Sequence, residues 1–368
     1  MADGPGMMHV TGLVGYHGKH GCHLYCGMPG RREVYGKHYF PVLLKPASYD
    51  VDGCTHPDVN VKNLPIPSCK RYTKNLHTLV TSPNESQYCA RCLQTGISKP
   101  SIFLAIDQSY TLGLPHSVGS DIMHLAALNI SDLMISLWRG TMDCTRPDDK
   151  SMWVWVVLRG DAWKQHGKAV ADVLHYLPSS FDCPPHNIAE KLTSGYKAWE
   201  FLLYLYGLGP GLLYGLLPDA YYTNFCKLML GIRLVHQHRI SCTSVHKVQQ
   251  VLASFAQEFE IIYCQWLATW IHFVCPCLHS VVHLPSEVIR VGPPICSSQW
   301  TLEHTIGNLG KEIKQHSNPF ANLSQRGIRH ARVNTLKAMI PNLEPSKATK
   351  DLPRGAIDLG DGYVLLCA

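Results

Sequence analysis

Cysteine and histidine crowd the early part of the chain, where His17, His20, Cys22, His23, Cys26 and His38 fall close together. Thiolate sulfur and imidazole nitrogen hold zinc in a tetrahedron, and a Cys-x3-Cys pair is slightly looser than the usual Cys-x2-Cys. Cys22 and Cys26 are therefore the expected zinc ligands, with Cys54 and His56 placed to complete the set. Further along, Asp121 and His124 stand three residues apart, which puts both on one helix face. On residue type alone they read as an N-cap beside a buried, hydrogen-bonded histidine. A third feature is basic. Lys311, Lys314, Arg326, Arg329, Arg332 and Lys337 face one acid, Glu312, over that segment, a net of +5 that supplies most of the chain's +6. Such a run is either a solvated helix face or a contact for nucleic-acid phosphates.

The chain that must position these residues has 368 residues, of which 46% are hydrophobic and 16% charged. That length can bury one core or two. The 15 cysteines are odd in number and irregular in spacing, and the opening segment lacks an apolar secretory core. Reduced thiols and a metal site are expected rather than a disulfide framework. The most apolar stretch, 199–217, carries Glu200 and is interrupted by Gly207, Gly209, Pro210 and Gly211. A bilayer span needs about 20 apolar residues, so packed helices and no membrane partner are expected.

Residues 1–100 are rich in Gly, Pro, Cys and His and read as loops and short strands, one of them Tyr39 to Leu44. Residues 101–297 read as helical. One helix starts at Asp121 and runs to about Trp138, and a second spans about Ala189 to Tyr206, ending at Gly207-Leu-Gly-Pro210. A third follows Pro218 to about His236. A fourth begins near Ser244, with Val248, Val251, Leu252, Phe255, Phe259 and Ile262 at helical spacing. Residues 298–343 read as a helix, a turn at 317–319 and a basic helix, and 344–368 as a mixed tail that forms a loose hairpin or stays disordered.

Three separated blocks resemble the transposases of CACTA-like elements in basidiomycete fungi. The first runs from Asp3-Gly-Pro-Gly-Met7 through Gly12 to Cys22 and Cys26. The second is Gly119-Ser-Asp-Ile-Met-His124, continuing to Asn129 and through Ser136 to Thr141. The third is Gln299-Trp-Thr-Leu-Glu303, continuing to Gly310 and through Ser317 to Gly327. Residues 194–207 also look like the family. In order and spacing the likeness spans about residues 3–343.

The resemblance implies an α+β, mainly α chain, part of a ribonuclease-H-like DDE fold interrupted by a large helical insertion. It implies Asp3 as the second catalytic carboxylate and Glu303 as the third, both ligands of Mg²⁺, which prefers hard oxygen donors. The first carboxylate of the family would precede Asp3. Its absence from the sequence leads to the expectation of a transposase-derived protein that no longer cleaves DNA strands. Asp121 and His124 match the family's acid-x2-His signature, and the resemblance implies for them a supporting role near the active site. Lys311, Lys314, Arg326, Arg329 and Arg332 become DNA contacts beside the groove. Where the family commonly has an arginine after the glutamate, His304 stands here, and Cys89-x2-Cys92 lies outside the blocks. The implied setting is nuclear, with DNA as partner and self-association left open. The alternative is a non-enzymatic DNA- or zinc-binding interaction module.

Overall fold

The computed structural model describes residues 4–144, 148–177, 184–315, 317–343, 356–360 and 363–366. The chain divides into two compact units, Met1–Gln299 and Trp300–Ala368. Both are mainly helical. Among the described residues, strands occur only in two antiparallel ribbons, Arg31–Arg32 with Tyr39–Phe40 and Ala356–Gly360 with Tyr363–Leu366. Nor, among those residues, is any helix long and apolar enough to cross a membrane.

The core of the first unit is built on two long helices, Asp219–Val235 and Cys242–Phe259. Val248, Leu252, Phe255 and Phe259 recur at helical spacing and are all buried. A side chain at Gly231 would have its Cβ 2.3 Å from Leu252, so glycine lets the two helices approach closely. Against them packs an aromatic cluster in which Trp155 contacts Trp153, Tyr221, Tyr263, Trp270 and Phe273. Two of its indoles are satisfied by one carboxylate: Trp153 and Trp270 both donate to Asp148 Oδ2, at 2.9 and 2.7 Å. Cys26, Met28, Phe40, Val42 and Leu43 join this same core, so the early Cys/His region is packed onto the helical body.

Several local expectations change. Among the described residues, the first hundred hold three α-helices, Gly4–Thr11, Cys69–Val80 and Glu85–Thr95. The latter two start at Ser68 and Asn84, whose side chains accept from Arg71 and Gln87 amides. They bury few side chains, Tyr72 and Leu79 in one and Thr95 in the other, which left little apolar periodicity to see. The expected strand from Tyr39 to Leu44 pairs only at Tyr39–Phe40. The amides of Leu43 and Leu44 turn instead to the buried carboxylate of Glu260, at 2.7 and 2.8 Å. The helix expected over 189–206 is split. Ile188–Lys191 ends before Gly195, and helical structure resumes at Ala198–Leu202. It then continues past Gly207 through a π-helical stretch, Leu203–Leu208, into Gly209–Leu212. A wider π turn already lacks the regular i to i−4 bonding, so Pro210 removes little there.

In the second unit Trp300–Glu312 and Pro319–Met339 are helices joined by the expected turn. Arg326 and His330 both bond to Glu312, at 3.1 and 2.8 Å. The tail hairpin is present as the Ala356–Gly360 and Tyr363–Leu366 ribbon.

Candidate metal centre

Cys22 and Cys26 lie in a tight turn closed by the Tyr25 amide donating to the Cys22 carbonyl, 2.9 Å. Gly27 has φ +84°, and a Cβ there would meet the Arg71 guanidinium. That guanidinium donates to the carbonyls of Tyr25 and Cys26, both at 2.7 Å, and fixes the turn from behind. The Met28 amide points at the Cys26 sulfur, 3.4 Å away. The turn thus aims both sulfurs toward the helical body.

Two histidines face them. His279 sits on the Pro276–Val281 helix, and His283 stands at the start of Leu284–Val291. Four residues apart, they present their rings on one side. Cys26 Sγ is 3.3 Å from His279 Nε2, Cys22 Sγ is 3.6 Å from His283 Nε2, and the two Nε2 atoms are 3.0 Å apart. All four donor atoms lie within 4.8 Å of one another. Zinc–sulfur bonds of about 2.3 Å and zinc–nitrogen bonds of about 2.0–2.1 Å require tetrahedron edges of roughly 3.3–3.8 Å. The donor set therefore fits zinc in chemistry and in spacing.

The electrostatics agree with a site for a cation. The hydrogen bond from the Cys26 thiol, helped by the two histidines, pulls the Cys22 thiol well down against its burial. The same bond, with burial, pushes the Cys26 thiol well up. Burial pushes the His283 ring down, but the Cys22 sulfur outweighs it and raises the imidazolium overall. Two thiols and two imidazoles sharing protons in a dry pocket are a costly cluster, and a divalent cation resolves it by displacing those protons. Four protein ligands would close the tetrahedron around such an ion and leave no position for a substrate, which is the pattern of a structural site.

Of the expected residues, Cys22 and Cys26 are thus brought together with His279 and His283, not with Cys54 and His56. The carbonyls of Cys54 and His56 instead receive the buried Arg31 guanidinium, at 2.7 and 2.9 Å. His17 stacks on His38 with centroids 4.1 Å apart, outside the donor set. The His279-x3-His283 spacing was itself readable, since zinc-binding histidine pairs are separated by three to five residues.

Asp121 and His124 lie beside the centre. A cleft of about 80 Å³ is lined by both of them together with Met7, Cys22 and His23. Asp121 is buried. Its Oδ2 accepts from the amide and from Nδ1 of His124, at 2.9 and 2.6 Å, and its Oδ1 accepts from the Gln299 amide at 2.7 Å. It caps a helix that begins as a π-helical stretch, Met123–Ile130, and continues as Ser131–Arg139. The same carboxylate thus ties residue 299 to the start of that helix.

Asp3 lies outside the described residues. Glu303 is exposed on Trp300–Glu312, where a Cβ at Gly307 or Gly310 would meet nothing within 4 Å. Lys311, Lys314, Arg329 and Arg332 are exposed, and Arg326 is half-buried against Glu312. In comparisons with known proteins, no family model, no curated protein and no solved structure matches this chain.

Proposed function

We propose that this chain is a zinc-stapled, transposase-derived protein that binds DNA, its body corresponding to the helical insertion of a ribonuclease-H-like nuclease. The observation that carries the reading is the Cys22, Cys26, His279 and His283 set. The cysteines belong to the block that precedes the insertion, and the histidines lie near its far end. A metal held by both pairs would close the insertion at its base, and the Asp121 to Gln299 bond acts in the same place. An insertion whose two ends are clamped together is what a nuclease groove flanking it would need. DNA would be met by the basic helix Pro319–Met339, where Arg329 and Arg332 stand exposed one turn apart. Such contacts are electrostatic and insensitive to sequence. Binding is the activity proposed.

The test is titration of zinc-loaded protein into a labelled duplex at increasing salt. Affinity that falls linearly on a log–log plot of binding constant against salt supports the reading. Zinc retention with no binding at low salt would move the conclusion to an interaction module without a nucleic-acid role.

A further inference from the structure

Cys69 opens the Cys69–Val80 helix, and its sulfur lies 3.2 Å from Nδ1 of His116. The other ring nitrogen, Nε2, is 3.2 Å from the carbonyl oxygen of Pro67. A carbonyl only accepts, so Nε2 carries the proton of that bond and Nδ1 faces the thiol as its base. A thiol, a base and a group that orients the base form the arrangement that activates a sulfur nucleophile. The imidazole's own backbone is held too. Arg290 donates to the carbonyls of His116 and Val118 and is itself paired with Glu287. The first turn of the Cys69 helix has no acidic side chain to repel an anion there. Cys69 is half-buried and open in part to solvent.

Several other thiols supply the contrast, while exposed Cys296 has an imidazole only at longer range, His238 Nδ1 at 4.0 Å. Burial pushes the thiols of Cys264, Cys275 and Cys277 up, which makes them poor nucleophiles. Cys242 occupies the same first position of a longer helix, Cys242–Phe259, behind the N-cap Ser241, and is exposed. It has the helix end, and no hydrogen bond joins its sulfur to the ring of His246 one turn on. Cys89, exposed within Glu85–Thr95, has neither.

We propose that Cys69 and His116 form an activated thiol pair, a site of covalent modification by small electrophiles. The thiol proton passes to Nδ1 of His116 and the sulfur electron pair forms a bond to the electrophilic carbon. The leaving group departs with the electrons of the bond that breaks, and the imidazolium returns its proton to solvent. With iodoacetamide the products are carbamidomethyl-cysteine and iodide, and nothing is oxidised or reduced.

The experiment uses the full zinc-loaded chain, a low dose of iodoacetamide at about pH 6, and mass spectrometry to follow each cysteine separately. Cys69 is expected to react at least roughly tenfold faster than Cys242 and Cys89. His116→Gln should bring Cys69 down to the rate of Cys242 and leave the other two unchanged. Equal rates for Cys69 and Cys242 in the parent chain overturn the proposal. So does a fast Cys69 that His116→Gln leaves fast, because the helix end alone would then be responsible. If the variant misfolds, which labelling of buried Cys277 would reveal, the parent comparison of Cys69 with Cys242 still decides.

Discussion

Cys26 Sγ and His279 Nε2 lie 3.3 Å apart although 253 residues separate them along the chain. A contact of that reach closes a very long loop, and the cost of closure grows only slowly with its length. One metal ion bonded to both sides can therefore hold the early Cys/His turn on the helical body. Apart from it, the turn is held by Cys26 and Met28 in the core and by the Arg71 guanidinium on the carbonyls of Tyr25 and Cys26.

Chelation should act locally. Removing the metal is expected to raise amide hydrogen exchange in residues 20–30 and 276–283 by roughly tenfold or more, because a structural metal contributes several kcal/mol to the segments it joins. The paired helices Asp219–Val235 and Cys242–Phe259 bury their own apolar faces and should keep their protection. Exchange mapped by mass spectrometry before and after chelation checks this. Uniform loss of protection throughout the unit would contradict a local staple.

Asp121 satisfies three donors at once, the His124 amide and ring and the Gln299 amide. Asp121→Ala removes a helix cap, costing about 1 kcal/mol. It also strands the buried Gln299 amide, which adds about 1–3 kcal/mol. A loss of roughly 2–4 kcal/mol is expected in urea unfolding of the first unit. A change below about 0.5 kcal/mol, the level of an ordinary surface substitution, would remove Asp121 from its tying role.

The pH response is predicted from His166, buried beside the Tyr204 hydroxyl at 2.8 Å. Burial lowers its imidazolium from 6.5 to about 4. Between those values the unfolded chain binds more protons than the folded one, so stability rises with pH across that window and is lost as pH falls through it. The full effect is on the order of 3 kcal/mol. Urea midpoints of the parent should therefore fall toward those of His166→Gln, or below them, between about pH 6.5 and 4. A constant difference between the two proteins would show that His166 does not carry the effect.

Arg329 and Arg332 are exposed on Pro319–Met339, whereas Arg326 is engaged by Glu312. Replacing both exposed arginines with alanine should weaken binding to unrelated duplexes alike. The salt slope should fall by about one for each phosphate that the variant no longer neutralises. An unchanged slope would place any DNA contact elsewhere.

The sequence makes the cap at Asp121 and the long helices legible, because caps and apolar periodicity are local. Cys22 and Cys26 are legible for the same reason, being donors four residues apart. Their partners are not. His279 and His283 have the right spacing but sit in an apolar helical run, among 21 histidines, and only tertiary packing selects them. Glu260 reads as an ordinary polar residue at the end of a helix. Burial pushes its carboxyl up to about 8, against two amide hydrogen bonds, because Leu43 and Leu44 arrive from more than 200 residues away. The π-helical stretches at 123–130, 203–208 and 260–264 likewise have no local signature in the chain.

The most direct measurement is metal content after purification without added chelator, compared among the parent chain, Cys26→Ser and His279→Gln. About one zinc per parent chain is expected, with most of it lost from both variants although their substitutions lie on distant segments. Parent protein free of zinc even after incubation with it, or a His279→Gln variant that holds as much as the parent, would contradict the four-ligand centre.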